Sequence, residues 1–359
     1  MKVLHVITSL QTGGAEKLMV DMLPRFRDNG LEVELCLFNG TNTPFYVQLK
    51  KSGIKIHDFG NGSVYNPFHV IRLVNLIRKG HYDIVHTHNT APQLFAAMAS
   101  VFCSVELCTT EHNTSNRRRR WWWYAPIDSL MYGRYRHIIC VSKRTKKNLE
   151  ESVKGILGKT SVIFNGVDLS KFENVKEYID MKPLGDENIS IIQVAGFRYQ
   201  KDQDTVIRSI KYLPKNYDLY LVGDGERKEE LRNLVAELKL QQRVHFLGIR
   251  MDVPILLQKS DIVVMSSHWE GLSLAVVEGM AACKPIVASD VEGIREVVKG
   301  AGILFEHANE KDLAEKIKSL IDNPLYYSEI AEKCRRRAKE YDVSKTVSGY
   351  IRIYKDLLK

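Results

Sequence analysis

DIVVMSSHWEGLSLAVVEGMAACKPIVAS runs from Asp261 to Ser289. The run DIVVMSS is β-branched and apolar, which suits a buried strand. A turn with Glu270 and Gly271 follows, and a helix is expected from about Ser273 through LSLAVVEGMAA. KPIVAS then reads as another strand. Strand, helix and strand in this order belong to a parallel sheet covered on both faces.

The same alternation extends outward in both directions. Before it come ISIIQVAG (Ile189–Gly196), a helix near Asp204–Tyr212, YDLYLVG (Tyr217–Gly223), a helix over Glu226–Leu238 and RVHFLG (Arg243–Gly248). After it come a helix from Ile294, the strand GILF, and helices from Lys311 to the end. The first half repeats the plan: KVLHVIT, an amphipathic stretch over Ala15–Asn29, LEVELCLF, IKIHDF, a helix near Phe68–Arg78, DIVHTH, APQLFAAMASVF, VELCTTEH, HIICVS, KRTKKNLEESV and TSVIFNGVD. The pattern weakens between Asp168 and Glu187, where the chain is charged and carries Pro183 and Gly185. The reading is therefore α/β, two Rossmann-like doubly wound domains facing across a cleft. The first spans 1–170, 171–188 is a linker, 189–340 is the second domain, and the 341–359 helix packs back on the first.

Composition narrows the function. The 359 residues are 44% hydrophobic, as in a soluble globular enzyme, and no apolar run is long enough for a membrane span. The N-terminus lacks the features of a signal peptide, so a cytoplasmic location is expected. Six cysteines form no C-x-x-C pair and read as small core residues of a reducing compartment. The net charge of +9 is uneven. Residues 1–180 hold 24 basic against 16 acidic side chains, and the remainder 28 against 27. Between Arg117 and Lys147 stand ten basic residues and one acid, Asp128. Such a field attracts polyanions.

In open parallel sheets ligands bind beyond the carboxyl ends of the strands. Gly13 and Gly14 follow the first strand and let backbone N–H groups approach an anion; a tight turn alone would explain them equally. DIVHTHN ends in His86 and His88, and TTEHNTS in His112. His86 and His88 are expected on opposite faces of a strand, which argues against a metal centre. Arg198 and Lys201 precede a helix, as two cations at a phosphate site would. Gly223 and Gly225 flank Asp224 in a strand-to-helix turn suited to a nucleobase or ribose, or only to turning the chain. Glu278 lies eight residues after Glu270 on one side of a helix start, and a carboxylate binds vicinal sugar hydroxyls with two acceptor atoms.

At this point the chain resembles the retaining glycosyltransferases of family 4, which have the GT-B fold. The resemblance rests on TGGAE, HTHN, TEHNTSNRRR, ICVS, NGVD, QKD, GDG, HFLG and CKP in order, and above all on EGLSLAVVE with its E-x7-E spacing. It implies a nucleotide-sugar donor, UDP- or GDP-linked, held mainly by the second domain without metal or other cofactor, and an acceptor held by the first. Glu278 would bind ribose hydroxyls. Glu270 and the backbone amides of Gly271, Leu272 and Ser273 would bind the sugar and phosphate. Lys201 would neutralise the leaving diphosphate, Gly14 would approach it from the other domain, and His112 would sit beside the transferred sugar. Gly196 is a departure: the family usually has arginine there, and Arg198, two positions on, is the candidate replacement.

Three other readings compete: an epimerase or phosphorylase of the same two-domain fold, a non-catalytic sugar-nucleotide-binding protein, and a nucleic-acid reader. The last lacks any supporting motif. The run Arg117, Arg118, Arg119, Arg120, Trp121, Trp122 precedes a helix begun by Pro126, whose buried face is expected at Ile127, Leu130 and Met131. Arginine with tryptophan suits an anionic membrane surface or a polyprenyl-diphosphate-linked acceptor, as in cell-surface polysaccharide assembly on the inner face of the cytoplasmic membrane.

Overall fold

The computed structural model describes residues 1–359 apart from Thr12 and residues 113–123, 174–183 and 185–187. The Arg/Trp run and most of the charged joining segment therefore lie outside the described residues. The chain divides into two compact units, one made of Met1–Gly166 with Val343–Lys359, the other of Val167–Asp342.

The first unit is built on seven parallel strands: β1 Lys2–Ile7, β2 Glu32–Leu37, β3 Lys55–Asp58, β4 Ile84–His88, β5 Glu106–Glu111, β6 His137–Cys140 and β7 Thr160–Val162. Their order is β3-β2-β1-β4-β5-β6-β7. Side chains alternate across this sheet. Val3, Ile7, Leu35, Cys108 and Ile139 face the helices Gly14–Asp28 and Val343–Leu357. Leu4, Val6, Cys36, Leu107 and Ile138 face the other layer. The last helix buries Val343, Val347, Tyr350 and Tyr354 and so completes one side of this unit's core.

The second unit has six parallel strands: β8 Ile189–Val194, β9 Tyr217–Val222, β10 Val244–Gly248, β11 Ile262–Met265, β12 Ile286–Ser289 and β13 Ile303–Phe305, ordered β10-β9-β8-β11-β12-β13. Both sheets are thus parallel, covered by helices and doubly wound. Each reverses its strand order once, between β1 and β4 in the first and between β8 and β11 in the second. Such a switch point leaves a crevice at the carboxyl ends of the two strands, because their connections run to opposite sides.

Two local expectations fail. His86 and His88 are two residues apart on β4 and therefore share a face; period-2 alternation separates neighbours, not next-neighbours. Their rings stack with centroids 4.6 Å apart. The helix Ala125–Gly133 does start with proline in its first turn, but it is rotated from the expected face. It buries Asp128, Met131 and Tyr132, while Ile127 and Leu130 are exposed, Leu130 at 75%. The acid in the first turn is favoured by the helix dipole. Tyr132 donates to Glu111 at the end of β5, so polar partners turn the helix inward.

Candidate functional site

Candidate residues gather at the switch point of each sheet. In the second unit one loop leaves β8 and another leaves β11. Ser266 Oγ donates to the Asp202 carbonyl at 2.6 Å, and Gln193 Nε2 donates to the Lys201 carbonyl at 3.1 Å. The His268 amide donates to the Gln200 carbonyl at 2.9 Å, and Gln200 Nε2 returns a bond to the Trp269 carbonyl at 2.9 Å. Asp202 closes the first loop in left-handed backbone, φ +46°, and its carboxylate caps the helix Gln203–Ser209 by accepting from the Thr205 amide. This stitching brings the Lys201 ammonium onto Glu270 Oε1 as an ion pair, and Ser267 Oγ donates to the same oxygen at 3.2 Å. Glu270 is buried and Lys201 half-buried. A buried carboxylate needs such partners, because desolvating an unpaired charge is costly.

From Glu270 the chain passes through half-buried Gly271 and Leu272 to buried Ser273, the N-cap of Leu274–Ala281. The Ser273 side chain makes no capping bond, so the first amides of this helix are not satisfied by it. Glu278 is buried on the same helix. Gly223 and Gly225 have a structural reason to be glycine. A Cβ at Gly223 would lie 2.1 Å from the Ala195 carbonyl oxygen, and one at Gly225 2.5 Å from that of Phe197. The turn after β9 thus packs backbone to backbone on the loop after β8.

Gly196 is different. A Cβ there would meet nothing closer than 3.7 Å, the Asp224 carbonyl oxygen. Its next neighbour, at 3.9 Å, would be Nε of the exposed Arg198. The Arg198 side chain therefore passes over the place where a side chain on residue 196 would begin. The two positions are two apart in sequence, and the bend at Phe197, whose amide donates to the Asp224 carbonyl, brings them together.

Sequence reading missed Arg227. It grips both carboxylate oxygens of Asp204 at 2.7 and 3.0 Å and also pairs with Glu230. Its amide donates to the Phe197 carbonyl at 3.1 Å. Burial pushes the Asp204 carboxyl up, but the hydrogen bonds and charge of Arg227 outweigh it and hold it below the usual range. The residue thereby fixes the Gly196–Lys201 loop to the helices on both sides.

In the first unit Gly13 and Gly14 open the helix Gly14–Asp28 without a side-chain cap, and Glu16 stands in its first turn. Across the switch point His5 on β1, His86 and His88 on β4, and Thr110 on β5 share one sheet face with half-buried His112. His112 Nε2 meets His88 Nδ1 at 3.1 Å, and His88 Nε2 meets His5 Nδ1 at 3.1 Å. His5 Nε2 lies 3.5 Å from the Tyr354 hydroxyl, which lies 2.5 Å from His86 Nδ1. His86 Nε2 meets Thr110 Oγ1 at 2.8 Å, and Thr110 meets the Tyr350 hydroxyl at 2.9 Å. Burial pulls His5 to about 3 and His112 to about 4, and drives His86 and His88 well below the usual histidine range. All four imidazoles are thus neutral at pH 7. His5, His86 and His88 offer nitrogens within 4.8 Å of one another, yet each nitrogen already has a hydrogen-bond partner. A second group with nitrogen and oxygen atoms at that spacing is Asp202, His268 and His307, where His268 Nδ1 and His307 Nε2 are 2.8 Å apart. The lysine, glutamate, glycines and His112 were legible as strand-end residues. The histidine chain was not, because two of its members come from the C-terminal helix.

Known proteins place this arrangement in a family. Residues 12–171 match the model of Glycosyltransferase Family 4, and residues 174–341 that of Glycosyl transferases group 1. An uncharacterized glycosyltransferase of Methanocaldococcus jannaschii is 30% identical over 295 residues, covering 79% of this chain and 78% of its own. The UDP-Gal:alpha-D-GlcNAc-diphosphoundecaprenol alpha-1,3-galactosyltransferase of Escherichia coli is 27% identical over 310 residues, covering 80% and 79%. Anabaena HepE, solved with UDP and glucose, shares the fold at a TM-score of 0.85 with 23% identity, over 99% of this chain and 100% of its own. With both halves matched in order and the fold shared throughout, the chain belongs to the group 1 glycosyltransferases of family 4, and its two parallel α/β sheets are those of the GT-B fold.

Proposed function

We propose that this glycosyltransferase moves a sugar, with retention of anomeric configuration, from a UDP- or GDP-linked donor to a hydroxyl of a glycan or polyprenyl-diphosphate-linked acceptor in cell-surface polysaccharide assembly. The observation that carries the donor side is the Lys201–Glu270 pair at the β8–β11 switch point. Breaking the anomeric bond leaves negative charge on the diphosphate. A lysine ammonium already held in place, with uncapped amides of the Leu274–Ala281 helix nearby in sequence, meets that charge without reorganisation. Lys201 then divides its charge between Glu270 and the diphosphate, and Glu270 is left to accept from sugar hydroxyls. Glu278 takes the ribose hydroxyls. Arg198 supplies the second cation, a role supported by its passage over Gly196. In the first unit Gly14 leaves the first amides of its helix open to an anion, and His112 offers a hydrogen bond to a sugar oxygen.

The acceptor oxygen forms a bond to the anomeric carbon as the carbon–phosphate oxygen bond breaks, and the hydroxyl proton passes to a diphosphate oxygen. These groups do the electrostatic work, so the reading requires no metal. The acceptor assignment draws on the diphosphoundecaprenol substrate named for the Escherichia coli relative. Among the described residues no helix is long and apolar enough to cross a membrane, so contact with a lipid-linked acceptor would be peripheral, on the inner face of the cytoplasmic membrane, through residues 117–122.

A panel of UDP- and GDP-sugars offered with polyprenyl-diphosphate-linked glycans tests this reading. The expected result is release of nucleoside diphosphate that depends on acceptor and persists in EDTA. A stereoisomer of the donor formed without acceptor would instead establish an epimerase.

A further inference from the structure

The buried chain Tyr350–Thr110–His86–Tyr354–His5–His88–His112 has one hydrogen to place in each link, so it must run in one sense or the other. In one sense Thr110 donates to Tyr350, and the Tyr350 hydroxyl hydrogen is left without an acceptor. Tyr350 is fully buried, and Thr110 is the only polar partner of its hydroxyl among the described residues. An orphaned buried donor is the costly outcome. In the other sense Tyr350 donates to Thr110, Thr110 to His86 Nε2, His86 Nδ1–H to Tyr354, Tyr354 to His5 Nε2, His5 Nδ1–H to His88 Nε2, and His88 Nδ1–H to His112 Nε2. Every buried donor is then used. The one hydrogen left over sits on Nδ1 of His112, at the half-buried end of the chain, where no described residue accepts it.

We propose that this chain, closed by Tyr350 and Tyr354 of the C-terminal helix, fixes His112 as its Nδ1–H tautomer and so presents a permanent hydrogen-bond donor to a substrate oxygen. His5, His86, His88, Thr110 and the two tyrosines are positioning residues that act through His112. All four imidazoles take the Nδ1–H form, the minor one for free neutral imidazole in water, so the arrangement leaves a spectroscopic mark. It also gives the last helix a functional part, since no residue of the first sheet replaces the two hydroxyls. The substrate step rests on the transfer reading above; the tautomer itself does not.

The test is the long-range ¹H–¹⁵N imidazole spectrum of ¹⁵N-histidine-labelled full-length protein at neutral pH, without ligand. The expected spectrum shows His112 with a protonated Nδ1 and a bare Nε2. His88→Asp puts a group that only accepts opposite His112 Nε2 and should draw a proton onto that nitrogen, so that the Nε2–H form of His112 appears, with kcat lowered about tenfold, the worth of one hydrogen bond, and donor KM little changed. A proton on Nε2 of His112 in the parent overturns the proposal, and so does a His112 that stays wholly Nδ1–H in the variant. If both spectra are as expected but His112→Phe transfers sugar at the parent rate, the relay stands and the role of His112 in transfer fails.

Discussion

Lys201 and Glu270 illustrate why a side chain's neighbours matter more than its type. The ammonium is poised because three hydrogen bonds between the β8 and β11 loops, and one from Gln193 of β8 to the Lys201 carbonyl, leave it little else to do. Lys201→Ala should lower kcat by roughly 10²- to 10³-fold, the usual loss when one preorganised charge-stabilising donor is removed, with a folded protein by circular dichroism. Steady-state kinetics with the donor found in the panel would check this. Arg198→Ala should cost roughly 10²-fold, and Gly196→Arg in that background should restore a large part, since nothing lies within 3.7 Å of a Cβ at 196. No recovery would mean the two positions do not serve one cation site. Glu270, Glu278 and Lys201 were legible because their motifs sit at strand ends and keep their spacing. The overlap of Arg198 with position 196 was not, because it depends on the bend at Phe197 and on Gly223 and Gly225 closing against that loop.

Secondary-structure elements carry the support for these residues. Arg227 joins the helices Gln203–Ser209 and Lys228–Glu237 through its fork on Asp204, and its side chain is only 11% exposed. Arg227→Met should destabilise the second unit by about 2 kcal/mol, short of the full cost of breaking a wholly buried pair because Asp204 keeps some solvent. Denaturant titration would measure it. Strands β1, β4 and β5 gather the histidines, and their burial has a pH signature. His5 is held at about 3 and His112 at about 4, below the usual 6.5. A base with a lowered folded-state pKa is protonated more readily when unfolded. Its contribution is complete above about 6.5 and is lost as pH falls from there toward 3 to 4. The denaturation midpoint of the first unit should therefore fall across that window, and less steeply in His5→Phe. Strand positions were readable from β-branched runs. The face of His88 follows from simple alternation once β4 is bounded, whereas the rotation of Ala125–Gly133 depends on partners such as Glu111 that lie far away in sequence.

On the scale of the whole molecule, the chain's end is part of its beginning. The helix Val343–Leu357 lies in the first unit, where Tyr350 and Tyr354 bond Thr110 and His86. Ending the chain at Asp342 would leave those groups unpaired and a buried face of the first core open. Calorimetry should then show the transition of the first unit lost or sharply lowered, while that of the second stays near the parent. Equal shifts in both would contradict this division. Two successive doubly wound domains were evident from strand–helix alternation, because buried parallel strands cannot hide their apolar runs. Which unit a terminal helix joins is decided by long-range packing. The Lys201–Glu270 site is proposed to transfer sugar with retention. Its most direct test is the anomeric configuration of the product, read from the ¹H coupling at the new linkage and compared with the donor's. Transfer with retention gives the same configuration in donor and product; an inverted linkage would rule it out.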